Sequence, residues 1–446
     1  MAYAPPPRGF RTFFVMWLAQ SLSVIGSGMT GFAMNVYLAQ TLYPAPEQKS
    51  ELALAFTVLN LGFWIPYVFG GPFAGAWVDR HDRKQILIAA NIAKGLIAIA
   101  IFALMASGAL RLWMLVCLGT LGATASALHY AAFETSYAML VPDRQLPRAN
   151  GMMQTTLSIS DILAPALAAF IIALPALLQW HGGIPPIAGI PLIIAIDALT
   201  FFLCAGVLLF LSVPSPARTA MQTGGPAGQS LWADVREGAA YIGRRPPLLW
   251  LLATFVVANM AIAPVPVILP LLVKFNLAPD WAARGYSFET ALAMLGVAGG
   301  IGGVLGGLVV TIWGGLKRRR VYGVLLPMLA GGILQAVYGL SPLLLISAFA
   351  AFLGTATSPM LNAHSQAIWQ MHTPREMQGR VFSIRRLIAW AIRPLSTASA
   401  GLLAGIFDPG YVLAALGAIL ALFCAAQLFN PYLLRVDDVD GGSPRP

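Results

Sequence analysis

The sequence predicts an all-α membrane protein: twelve transmembrane helices in two pseudo-symmetric six-helix bundles. Three observations carry that expectation. The 446 residues are 58% hydrophobic and only 10% charged, against roughly 25% charged in an ordinary soluble domain. Apolar runs of about twenty residues or more, enough to cross the hydrocarbon, recur along the whole chain. One stretch, 213–246, breaks that rhythm near the middle with Pro, Gly, Ser and Arg.

Six spans precede the break. The first, 11–41, follows Arg8 and Arg11 and runs on too far for a cleaved signal, so it is expected to be retained. The second, 52–78, ends in the charged stretch GAWVDRHDRKQ. The third, 85–107, contains Lys94, expected to snorkel. The fourth, 112–141, carries Glu134 and the fifth, 148–179, carries Asp161 and Pro165. The sixth, 188–212, carries Asp197, for which a structural hydrogen-bonding role is expected. Residues 213–246 read as a cytoplasmic linker whose amphipathic piece, LWADVREGAAYIGRRP, lies on the membrane surface.

The division is therefore 1–212, 213–246 and 247–446. In the last part the spans are 247–273, 288–314, 321–341, 342–371, 380–406 and 410–434. The third and fourth of these nearly touch at Leu340-Ser341-Pro342. The halves echo one another: Asn150 and Pro165 are spaced like Gly379 and Pro394, and Gly71/Gly75 like Gly303/Gly307. Duplicated halves with a midplane site are the build of many secondary transporters.

The bases set the topology. With both termini inside, only Lys49, Arg111, Lys274 and Arg284 fall in outer loops. Lys94, Arg385, Arg386 and Arg393 fall within spans, and the rest of the 27 Lys and Arg lie in inner tails and loops. The net charge of +10 is thus topogenic and does not indicate a nucleic-acid partner. Cys117, Cys204 and Cys424 sit in apolar segments and suggest packing, neither a disulfide frame nor a metal site. No phosphate loop, H-E-x-x-H or nucleophile elbow is present, so no cofactor and no enzyme chemistry is expected.

Gly71-x-x-x-Gly75-x-x-x-Asp79-Arg80-x-x-Arg83-Lys84 resembles the loop 2–3 signature of the major facilitator superfamily. WLAQSLSVIGSGMTGFA, LVPDRQLPRANG, IDALTFF and SQAIWQMHTPREMQGRVFSIRRLIAWAIRPL narrow the likeness to its macrolide-efflux and enterobactin-exporter branch. The resemblance implies the major facilitator fold, alternating access, protons as the coupling ion, and a bacterial inner membrane. It makes Gly75, Asp79, Arg80, Arg83 and Lys84 a latch closed on the cytoplasmic face, its glycines packing against a neighbouring helix. The second-half copy, Gly303-x-x-x-Gly307 then WGGLKRRR, lacks the acid, so Lys317 to Arg320 read as orientation and lipid contacts. The antiporter run of the fifth helix is present only as small residues, Ala164, Pro165, Ala168 and Ala169.

A charge at the centre of a membrane helix costs about 2.5–3.5 kcal/mol on insertion scales, so each needs a partner or a task. Asp161 is expected to bind the coupling proton or a cationic group of the substrate, with Arg393 as its charge partner. A static ion pair is the alternative. Glu134 is the second proton or substrate candidate, or else pairs with a loop base. Asn362, His364 and Gln366 in the tenth span offer neutral hydrogen-bonding groups for a large amphipathic solute, although His364 could equally be a satisfied packing residue. Gln20, Asn35, Asn60, Gln154 and Asn259 are further lining candidates, and Arg385 and Arg386 are expected to be anchors at the inner surface.

The expected partners are a small-molecule substrate, protons and membrane lipids, the protein acting as a monomer. Proton-coupled export of a drug, macrolide or siderophore-like solute is the first reading. A lysophospholipid flippase of the same fold is the second. A non-transporting receptor, which would tolerate Asp79→Asn, is the third.

Overall fold

The computed structural model describes residues 6, 8–177, 189–214, 231–374, 377–434 and 436; residues 215–230 of the linker at 213–246 lie outside the described residues. The chain divides into two compact units, Met1–Thr223 and Gly224–Pro446. Among the described residues it is helical without strands, and twelve helices are long and apolar enough to cross a membrane. Large apolar side chains stand on the outside, such as Phe210 at 91% exposure and Ile312 at 86%. In hydrocarbon such side chains meet a solvent of their own polarity.

The first unit contains α1 (Gly9–Tyr37), α2 (Lys49–Arg80), α3 (Arg83–Ala106), α4 (Leu112–Leu140), α5 (Leu146–Leu177) and α6 (Gly189–Phe210). Helices α1 and α5 are joined by a polar ladder that climbs one turn at a time. Trp17 Nε1 donates to Met152 O at 3.2 Å, Ser21 and Thr156 share a hydrogen bond of 2.8 Å, and Ser160 Oγ donates to Val24 O at 3.3 Å. Above these, Gly28 sits against Ala164 so closely that a Cβ there would lie 2.7 Å from the alanine methyl. The near-constant offset between the two helices shows that α1 and α5 run parallel, and small polar groups let them approach where apolar bulk could not.

The second unit contains α7 (Leu231–Gly243), α8 (Pro246–Ile262), α9 (Val265–Leu271), α10 (Ala278–Ala283), α11 (Phe288–Trp313), α12 (Tyr322–Leu340), α13 (Leu344–His372), α14 (Gln378–Ile406), α15 (Pro409–Gln427) and α16 (Pro431–Leu434). Glycines set its tightest contacts. On α11 a Cβ at Gly302 would fall 2.0 Å from Phe352 O of α13, and one at Gly306 2.1 Å from Ala356 O.

Four sequence expectations change. The seventh span is two helices, because Pro264 and Pro266 interrupt the bonding between α8 and α9, which ends in a π-helical turn, Leu272–Asn276. The last span ends at Gln427, with the short α16 after it. Gly71 of the second span, expected to pack against a neighbouring helix, has open space where a Cβ would go, as do Gly303 and Gly307; the close approach in α11 is made by Gly302 and Gly306. The side chain of Lys94 lies with Nζ 4.5 Å from the centre of the Phe201 ring rather than reaching for the interface.

At one end of the second unit, Asp280 accepts from Arg284 Nε at 3.0 Å and from the Leu344 N–H at 2.9 Å, tying α10 to the first turn of α13. The Arg284 guanidinium, and after it the Leu344 N–H, hold the Asp280 carboxyl below its ordinary range. A depressed value means the contact contributes fully above the usual aspartate pKa of about 3.9 and is lost as pH falls through the lower, folded one. Asp280→Asn is therefore expected to lower the thermal midpoint at neutral pH. The gap from the parent protein should close below about pH 4, read from unfolding curves at several pH values.

Candidate functional site

The charged stretch expected as a loop is almost all helix. Helix α2 runs through Asp79 and Arg80, α3 starts at Arg83, and only His81 and Asp82 turn the chain. His81 stacks on Trp77 at 4.4 Å, its Nδ1 bonded to Trp77 O, while Asp82 caps α3 by accepting from Gln85 N at 3.2 Å. The surroundings of Gly75 and the side chain of Asp79 lie outside what the structure describes.

The bases of this stretch divide by burial. Arg83 is 7% exposed, and its Nη1 donates to Thr135 O at 3.2 Å and Met139 Sδ at 2.8 Å of α4. Lys84 Nζ donates to Leu209 O at 2.9 Å, in the last turn of α6, where a cation also meets the negative end of the helix dipole. Arg80 is exposed. Arg83→Met is therefore expected to lower stability by about 1.5–3 kcal/mol, the range for a hydrogen bond to a charged group. Arg80→Met should leave the thermal midpoint unchanged, a comparison made on the purified variants.

Asp161 stands halfway along α5, about 22 Å from the Leu146 end at 1.5 Å per residue. Its side chain is exposed and makes no hydrogen bond or ion pair among the described residues. Pro165, four residues on, has no N–H to give the Asp161 carbonyl, so the same point of the helix also presents a spare main-chain acceptor. Of the small residues that follow, Ala164 and Ala168 are buried, and Pro165 and Ala169 are half-buried.

Glu134 is half-buried on α4 and likewise has no hydrogen bond among the described residues; one turn before it, His129 is buried and stacks on Phe133. Met16, Ala19 and Gln20 of α1 line a cleft with His129, Phe133 and Cys204, with room for about one water. Asp197 is only 4% exposed and accepts from Ser27 Oγ at 3.3 Å. Gly26 of α1 makes room for it: a Cβ there would lie 2.9 Å from Asp197 Oδ1.

In the second unit a cationic and aromatic face runs along α14. Arg385 donates from Nη1 to Gln366 Oε1 at 3.0 Å and from Nη2 to Ser365 Oγ at 3.3 Å. Its guanidinium also lies 5.1 Å from the Trp369 ring and 5.7 Å from Phe255. Arg386 and Arg393 both lie against Trp390, at 5.9 and 5.2 Å, and Arg393 Nε donates to Asn259 Oδ1 at 2.8 Å. The distances are those of cation–π contact. Gln366 and Asn362 are exposed, Arg393 is half-buried, and Asn362 Nδ2 donates to Ser358 O.

His364 is set apart from these. It is 3% exposed, with Nε2 accepting from Leu316 N at 2.7 Å and Nδ1 bonded to Met360 O at 2.7 Å. A carbonyl can only accept, so the hydrogen is on Nδ1. The ring pins the connection after α11, where Gly314 and Gly315 adopt φ of 76° and 74° and a Cβ on Gly315 would lie 2.9 Å from Nε2. Both nitrogens are engaged within the fold.

Of the expected groups, the structure brings Arg393 to Asn259, and Gln366 to Arg385. Asp161 lies in the first unit and Arg393 in the second. Sequence reasoning missed the joining of Arg385 to α13 and to Trp369, and the place of Trp390 between Arg386 and Arg393. The spacing of Arg386, Trp390 and Arg393, at i, i+4 and i+7, was the available signal.

Residues 16–397 match the profile of the Major Facilitator Superfamily. Macrolide efflux protein A of Streptococcus pyogenes is 25% identical over 396 residues, covering 86% of this chain and 87% of that protein. The lysophospholipid transporter LplT of Yersinia enterocolitica is 27% identical over 190 residues, 41% of this chain and 40% of the other. A bacterial homologue of the human lysosomal transporter Spinster, solved inward-facing and unoccupied, superimposes with a TM-score of 0.63 at 14% identity. That likeness covers 98% of this chain and 96% of the other.

Proposed function

Because the chain belongs to the major facilitator superfamily, and so is a multi-pass membrane transporter and not an enzyme, we propose that it exports a small amphipathic solute in exchange for protons. It does so by alternating access, from a bacterial cytoplasmic membrane with both termini inside. One observation carries this reading: Asp161, a carboxylate at the middle of a membrane helix, exposed and without a hydrogen-bond or ion-pair partner among the described residues. An ionisable group there is tolerated on a face that meets water, and a watery face at mid-membrane is a solute or proton path. Glu134, nearer one end of α4, is the relay candidate. Asp79, Arg80 and their neighbours form the latch that closes the path, with Arg83 and Lys84 giving it a rigid base.

The solute reading is supported by the relation to a macrolide efflux protein. It is tested in proteoliposomes under an imposed pH gradient. A radiolabelled macrolide should move against the proton gradient, and movement unaffected by collapsing the gradient would remove the coupling. A second reading, lysophospholipid transport, is supported by the LplT relation. It predicts that radiolabelled lysophosphatidate moves in the same vesicles and the macrolide does not.

A further inference from the structure

The two halves carry different charge inside the membrane. In the first unit the spans hold three acids, Glu134, Asp161 and Asp197. In the second, no Asp or Glu occurs at 238–279, at 290–375 or at 377–407. The cations of α14 therefore stand in a stretch of membrane protein that supplies no carboxylate along its own chain.

Three features show that these cations do more than anchor the helix. First, depth: Arg393 lies fifteen residues into α14 from Gln378, about 22 Å along the axis, beyond the reach of a side chain snorkelling to headgroups. Second, Arg385 and Arg386 keep donors to spare among the described residues. Arg385 uses two of its five N–H groups on neutral partners, Gln366 and Ser365, and Arg386 lies exposed against Trp390. Third, they form a track. Arg386 and Arg393 flank Trp390 at successive turns, and Arg385 sits beside Trp369 and Phe255. Planar guanidiniums match the two oxygens of a carboxylate or phosphate, and the rings beside them suit an apolar or aromatic body.

We infer that the transported solute is an amphipathic anion, its carboxylate or phosphate held by Arg385, Arg386 and Arg393 and its apolar part against Trp390. The inference rests on the reading of proton-driven export above and names an acidic solute in place of the basic macrolide.

The test uses the full chain in nanodiscs of phosphatidylcholine and two matched pairs of radiolabelled probes. Naphthoate against naphthamide represents a free aromatic anion, and lysophosphatidate against monoacylglycerol represents a lipid headgroup. At least one anion should bind about tenfold or more tightly than its neutral twin, the size of one charge-assisted contact; which pair discriminates identifies the source. The preference should vanish in Arg393→Gln and in Arg386→Gln, the latter at an exposed position that does not threaten folding, and return only in part in Arg393→Lys, which keeps the charge and loses the planar fork. Equal binding within both pairs, or a preference that survives both glutamine variants, would overturn the inference. Anion preference without gradient-driven flux of the same probes in proteoliposomes would count against the export reading alone. Flux of the neutral twin as fast as the anion would count against this inference alone.

Discussion

Asp161→Asn is expected to leave the protein folded and to reduce pH-gradient-driven transport to the level of empty liposomes. The change is close to isosteric, and the side chain it alters is exposed and makes no hydrogen bond among the described residues, so no packing is lost. What disappears is the group that can exist in two charge states at mid-membrane, and with it the means of exchanging a proton for solute. Downhill exchange of solute at equal pH should persist, because an amide still hydrogen-bonds. Transport that still followed the pH gradient in this variant would move the proton role to Glu134 or remove it from the first unit altogether.

Gly306→Val is expected to prevent accumulation of folded protein. At this point of α11 the added Cβ would lie 2.1 Å from Ala356 O of α13, and 2.8 Å from that residue's carbonyl carbon and Cα. The obstacle is main chain, which cannot rotate aside, so the helices must part along their whole contact. Overpacking a well-filled site typically costs about 1–3 kcal/mol, and a backbone obstacle puts this site at the upper end or beyond. Gly307→Val, one residue on and facing open space, should accumulate normally. Detergent-solubilised yield and monodispersity of the two variants make the comparison; equal yields would show that α11 and α13 do not pack as described.

That contrast also marks what the sequence made legible. Span positions were readable to within a few residues, because the requirement for a long apolar run leaves a strong mark on composition. The face each helix turns to its neighbour was not, since membrane helices are apolar all round and periodicity carries little signal there. Hence the glycines that carry the α11–α13 contact, Gly302 and Gly306, did not stand out beside Gly303 and Gly307, whose spacing echoes the first half. The same limit applies at the candidate site. Asp161, Glu134 and Arg393 stood out because charge is rare in such a chain. His364 stood out equally, yet both its nitrogens serve the connection after α11. Whether a polar group spends its hydrogen bonds inside the fold depends on neighbours distant in sequence, as Leu316 is from His364. The charged stretch after the second span looked like a loop because charge usually marks one, whereas Asp82 caps the next helix and leaves a turn of only two residues.

Protons and solute are expected to move in opposite directions through one protein. The most direct measurement traps a pH-sensitive dye inside proteoliposomes, starts at equal pH on both sides, and imposes a gradient of macrolide or naphthoate alone. The expected result is a change of internal pH as protons flow against the solute, absent in Asp161→Asn. Solute movement at full rate with no opposing flow of protons would contradict the account.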